Sequence, residues 1–180
     1  MKSLKGQLLL ASPELHDPNF ARAVVLLVQH DENGAMGLIL DRPMTATVRE
    51  AMEASLGREF DVQGFLHQGG PCDSPLMLLH ADPDQSQIEV IEGVHFTAER
   101  PKIESILDNA SMPAKFFLGC SGWAPGQLEN ELEVGSWIVV PANSRRVFDA
   151  HLGSWQRVMT ETNLAAYVDP NNVPDDPTVN

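Results

Sequence analysis

The segment FFLGCSGWAPGQLENEL, residues 116–132, holds the densest chemistry in the chain. A thiol, Cys120, and a hydroxyl, Ser121, stand between Gly119 and Gly122, followed by the indole of Trp123 and the amide of Gln127. Such a corner could carry a nucleophile, which requires small residues two places before and two places after it. Ser121 has Gly119 before it but Trp123 after it, and Cys120 has Gly122 after it but Leu118 before it. A papain-type cysteine stands directly before an aromatic residue, and here Gly122 occupies that place. A reactive thiolate also needs a base, and His16, His30, His67, His80, His95 and His151 are all possible partners that sequence order cannot separate. The same loop could hold a ligand, because glycines opening a helix leave free N–H groups that favour a carboxylate or phosphate. It could also be only a tight corner, with Cys120 a small buried residue and Trp123 packed on Leu128. The ligand-binding candidates are Gly119, Cys120, Ser121, Gly122, Trp123 and Gln127, and no residue is assigned as catalytic.

Arg42 joins them, since an arginine between a strand end and Pro43 can face a pocket. The glycines of HQGGPCDSP, residues 67–75, lack the Lys and Ser or Thr of a phosphate-binding loop, and turn chemistry accounts for them. Metal sites draw two ligands from one short segment, yet the closest histidines, His67 and His80, lie 13 residues apart. No metal site and no cofactor is expected.

The elements that must position these residues are legible as periodicities. Two apolar runs in residues 22–41 flank Asn33 and Gly34, the signature of an antiparallel hairpin. Because VVLLV at 24–28 is continuously apolar, its sheet is expected to be covered on both faces, which asks for helices on each side and three layers. Thr47 with Glu50 forms a capping box before a helix that runs to Gly57. Further helices are expected over 99–110, 125–132, 143–152 and 153–168. Strands are expected at 7–11, 64–68, 75–81, 88–97, 114–119 and 136–141. Without regular alternation of strand and helix, the class is α+β with a mixed, largely antiparallel sheet flanked by helices on both faces.

A chain of 180 residues with 43% hydrophobic and 21% charged residues suits one well-buried core. The expected division is a single domain over 1–168 and a flexible acidic tail over 169–180. Acidic residues outnumber basic ones 25 to 12, a net charge of -13, so the long-range field repels phosphate backbones and anionic lipid. Arg145 and Arg146 are the one adjacent basic pair, so there is no basic stripe for nucleic acid. The apolar runs are too short to span a bilayer, and the N-terminal one stops at Pro13, short of a signal peptide. A cytoplasmic location with Cys72 and Cys120 reduced is expected.

Taken in order, GQLLLASPELHDPNFARAVVLLVQH at 6–30, GAMGLILDRP at 34–43, GGP at 69–71 and GCSGWAPGQLENEL at 119–132, continuing to Trp137, resemble the YqgE/AlgH family of small bacterial proteins. The chain departs from the family pattern at Asp41, where Asn is usual, at Cys72, where an aliphatic residue is usual, and at Cys120, where an aromatic residue is usual. A position that accepts Tyr or Cys is a poor place for a nucleophile, so the resemblance favours a structural corner, then a pocket. It implies a compact α+β fold and attaches no reaction or cofactor. The family's label as a transcriptional regulator came from a genetic link to alginate production rather than from a DNA-binding motif.

The leading expectation is therefore a non-enzymatic protein that acts through a protein partner or a small ligand, in regulation. The alternatives are an enzyme using Cys120 or Ser121 in the Gly119–Gln127 loop, and a regulator that binds DNA directly.

Overall fold

The computed structural model describes residues 2–109 and 111–162. The tail at 169–180, and the part of the last expected helix beyond residue 162, lie outside the described residues. In chain order the strands are β1 (Gln7–Ala11), β2 (Val24–Asp31), β3 (Gly34–Ile39), β4 (Pro43–Thr47), β5 (Phe65–Gln68), β6 (Met77–His80), β7 (Ile88–Ile91), β8 (Val94–Thr97), β9 (Ala114–Leu118), β10 (Ser121–Trp123) and β11 (Trp137–Pro141). The helices are α1 (Val48–Leu56), α2 (Arg100–Asp108), α3 (Gln127–Glu133), α4 (Ser144–Phe148) and α5 (Ser154–Glu161).

The α+β class with mixed, largely antiparallel pairing is what forms, and the strands divide over two sheets. One has the order β10-β3-β2-β1-β11 and the other β4-β5-β9-β6-β8-β7, with β5 and β9 the parallel pair. All of VVLLV in β2 is buried. Val24, Leu26 and Val28 face the second sheet's Leu79, Phe96 and Phe117, together with Val147 and Trp155 from the C-terminal segment. Val25 and Leu27 point the other way, to Trp123, Leu128 and Trp137. One cover of the first sheet is thus another sheet, because continuous hydrophobicity demands burial on both faces without specifying by what. Helices α1 and α2 cover the second sheet's outer face through Val48, Met52, Ile103, Ile106 and Leu107. Each such apolar side chain contributes about 1.5–3 kcal/mol on burial.

Local signals fare as their physics dictates. The capping box forms: Glu50 N–H donates to Thr47 Oγ1 at 3.2 Å, and Thr47 N–H donates to Glu50 Oε2 at 3.1 Å. In the first hairpin Asp31 pairs with Gly34, so the two loop residues are Glu32 and Asn33, one place earlier than the Asn-Gly signal implies. The run 88–97, expected as one strand, is a hairpin of β7 and β8 turning at Glu92 and Gly93. Strands β4 and β10 carry no sequence signal, being short and dependent on their partners. Among the described residues no helix is long and apolar enough to cross a membrane.

Candidate functional site

The chain passes from the first sheet to the second through Leu40–Arg42 and returns through Gly119 and Cys120, and the turn at 69–72 lies against both passages. The Gly69 carbonyl accepts from Ile39 N–H at 2.9 Å and from the Ser121 hydroxyl at 3.1 Å. Gly69 N–H donates to the Leu118 carbonyl at 2.9 Å, and Gln68 N–H to the Arg42 carbonyl at 2.9 Å. Backbones touch here. A Cβ on Gly69 would stand 2.3 Å from the Gly119 oxygen, and one on Gly70 would stand 2.3 Å from the Cys120 carbonyl. Only glycine permits that approach. The turn after β9 also runs straight into strand β10, so Ser121 sits in a strand and not on an elbow leading to a helix.

The nucleophile candidates are placed accordingly. Ser121 is wholly buried, and its hydroxyl is committed to Gly69. Cys120 is half-buried, and burial, assisted by the neighbouring Cys72 thiol, pushes its thiol above the usual range. That is the opposite of what activates a thiolate. Trp123 is buried, with its ring edge to face against Trp137 at 5.9 Å and Phe20 alongside both. Both indole N–H groups donate to Glu131 Oε2, at 2.8 Å from Trp123 and 2.7 Å from Trp137. Gln127 completes this arrangement: its amide donates to Glu131 Oε1 at 2.9 Å and its oxygen accepts from Ala124 N–H at 3.0 Å. On the same helix, Glu129 Oε1 lies 2.9 Å from His30 Nε2. Leu4 N–H donates to His30 Nδ1, so Nε2 carries the proton given to Glu129.

Arg42 is elsewhere. Its guanidinium donates to the carbonyls of Asn19 and Ala21, which holds it at the edge of a cleft of about 420 Å³. Arg22, Asp41, Gly153 and Trp155 also line this cleft, and none of residues 119–127 does. The Arg22 guanidinium lies over the Trp155 ring at 5.7 Å from its centroid. Arg22 is the one non-glycine residue with positive φ, 55°, among the described residues. Helix α5 starts behind Gly153, and its residues Trp155 and Gln156 line the same cleft.

Folding also takes ionisable groups out of water, Asp41 of the cleft lining among them. Asp41 is buried and accepts from Val24 N–H at 3.1 Å, and burial pushes its carboxyl up to about 6. Lys115 is buried and donates to the Ala150 carbonyl, and burial pulls its amine down to about 8 against the opposing pull of Asp41 and Asp149. His67 is lowered to about 4 by burial and then by the Lys115 charge. Sequence reasoning names Arg42 but misses Arg22 and Trp155 as cleft residues, because the cleft joins segments distant in the chain.

Comparison with known proteins agrees with the fold. The family model described as AlgH-like matches residues 8–166. A UPF0301 protein of Chlorobaculum tepidum is 39% identical over 160 residues, covering 84% of this chain and 83% of the relative. A UPF0301 protein of Xanthomonas campestris pv. campestris is 38% identical over 162 residues, covering 85% and 86%. Among solved structures, the solution structure of the AlgH protein from Pseudomonas aeruginosa superposes with a TM-score of 0.69 at 28% identity, covering 92% of this chain and 91% of that one. The crystal structure of a protein from Corynebacterium diphtheriae gives 0.74 at 25% identity, covering 94% and 93%. None of these names states a reaction, a ligand or a partner.

Proposed function

The chain belongs to the AlgH-like family, and on that footing we propose that it works in the cytoplasm by recognition rather than catalysis, holding a small organic anion in the Arg22–Arg42 cleft in a regulatory role. One observation carries this reading: two guanidiniums and an indole converge on a cleft of about 420 Å³ in a chain whose net charge is -13. That volume lies in the range of small-molecule pockets, about 300–1,000 Å³. A guanidinium offers a planar fork of donors matched to a carboxylate or phosphate. Two of the five N–H donors of Arg42 hold backbone carbonyls, which fixes its orientation and leaves others free for a ligand. A non-glycine residue held at positive φ is a strain found preferentially at binding sites, and Arg22 is such a residue. The buried, committed hydroxyl of Ser121 and the raised thiol of Cys120 weigh against covalent chemistry at the other candidate segment. The acidic balance weighs against DNA.

The test is a thermal-shift and calorimetry panel of inorganic phosphate, citrate and adenosine monophosphate at low and physiological salt. We expect at least one anion to raise the melting temperature, with binding weakened about tenfold or more in Arg22→Gln and in Arg42→Gln, since charge-assisted bonds are worth about 1.5–3 kcal/mol. Equal binding by wild type and both variants would remove the cleft from consideration.

A further inference from the structure

The second device lies at the crossing between the sheets and is independent of the anion cleft. Cys72 and Cys120 form an isolated antiparallel bridge outside the named strands. Each donates its N–H to the other's carbonyl, both at 2.9 Å. In such a hydrogen-bonded pair the Cα atoms are about 5.5 Å apart, and disulfides span Cα separations of about 4.4–6.8 Å. Directly opposed residues of an antiparallel pair also present their side chains on one face. Gly122 lies beside that face: a Cβ there would stand 3.7 Å from the Cys72 sulfur, an ordinary contact. The two thiols differ in access, with Cys72 exposed and Cys120 half-buried.

We propose that Cys72 and Cys120 are a redox modification site, a dithiol that closes to an intramolecular disulfide when a peroxide reaches the exposed Cys72. Cys72 sulfur attacks one peroxide oxygen, the O–O bond breaks, and the departing hydroxide takes a proton to leave as water. Cys72 becomes a sulfenic acid, oxidised by two electrons while the peroxide is reduced. Cys120 sulfur then attacks Cys72 sulfur, the S–O bond breaks, and hydroxide leaves with the Cys120 proton as a second water. Two thiols and one peroxide thus give one disulfide and two waters. Cys72 is the exposed thiol and Cys120 the sheltered one, so the oxidant meets Cys72 first and Cys120 is left to attack the sulfenic acid, losing its proton as it does so.

The bridge is built to reopen. Opposed Cβ atoms in an antiparallel pair lie about 4.5–5.5 Å apart, whereas a disulfide prefers about 3.8 Å. Closure must tilt the two Cβ atoms toward each other, and strained, exposed disulfides are the readily reduced ones. The consequence falls on Gly69, Gly70 and Gly119, whose backbones already touch at this crossing.

The experiment treats the full chain with one equivalent of hydrogen peroxide, then counts thiols and maps peptides by mass spectrometry, with Cys72→Ser and Cys120→Ser alongside. In wild type we expect both thiols to be lost together, an intact mass lower by two hydrogens, a Cys72–Cys120 cross-linked peptide, and full recovery with dithiothreitol. Cys120→Ser should stop at a Cys72 sulfenic acid that dimedone captures, and Cys72→Ser should keep its thiol at the same dose. Wild type that instead gains oxygen at Cys72 with Cys120 still titratable, or that yields only intermolecular dimers, would overturn the assignment.

Discussion

Asp41→Asn removes a buried ionisable carboxyl while keeping an oxygen to accept from Val24 N–H. Burial raises the Asp41 pKa from 3.8 to about 6. At about 1.36 kcal/mol per unit, the ionised form costs the fold about 3 kcal/mol. The sign follows from the direction: a raised carboxyl contributes stability that is complete below 3.8 and lost as pH rises through 6. Wild type at pH 7 therefore carries the penalty, and asparagine carries none. Part of the gain is returned, because Lys115 loses the negative neighbour that opposes its own desolvation. The net expectation is a variant more stable by about 1–2 kcal/mol at pH 7, with about 3 kcal/mol the ceiling, and a difference that shrinks toward zero by pH 4. Urea denaturation of both proteins from pH 4 to 8 measures it, and the difference cancels groups that titrate alike in each. A variant that is less stable at pH 7, or a difference that does not change with pH, would refute the desolvation reasoning.

Glu131→Ala strands the two buried indole N–H groups of Trp123 and Trp137. At about 1–3 kcal/mol for each unsatisfied donor, it should cost about 2–6 kcal/mol in urea denaturation and red-shift tryptophan emission. Gly70→Ala places a Cβ 2.3 Å from the Cys120 carbonyl. Because the opposing atoms are backbone, we expect a loss of about 3 kcal/mol or more, read as insoluble expression or a depressed melting temperature. His80, 1% exposed and with both ring nitrogens unpartnered among the described residues, is lowered by burial to about 4 from 6.5. Its contribution is present above 6.5 and lost as pH falls through 4. His80→Leu should thus narrow the stability gap between pH 7.5 and 4.5 by at most about 3 kcal/mol, measured by urea midpoints at each pH.

Much of the architecture was legible because it rests on neighbours in the chain. The Thr47–Glu50 box, the apolar face of α2, and the strands β1, β9 and β11 are local patterns, and each stands where its residues place it. Burial of β2 on both faces was likewise readable, since only an all-apolar run tolerates it. The candidate segment at 119–127 was half readable. Its glycines mark a corner, but the reason for the corner, backbone contact with Gly69 and Gly70, involves residues about fifty positions away.

Residue order alone therefore determined the helices and the longer strands, though not β4, β10 or the division of 88–97, as well as the acidic field of the chain and the existence of a tight passage at Gly119. Tertiary structure decided that a second sheet covers β2, that Cys72 faces Cys120, and that Arg22 and Arg42 meet Trp155 across a cleft. The physical reason is range. Periodicity, capping and turn chemistry act over a few residues and leave their mark in the string, whereas desolvation and opposition of side chains depend on which distant segments close against each other. Asp41 and Lys115 look like ordinary surface charges until folding takes the water away.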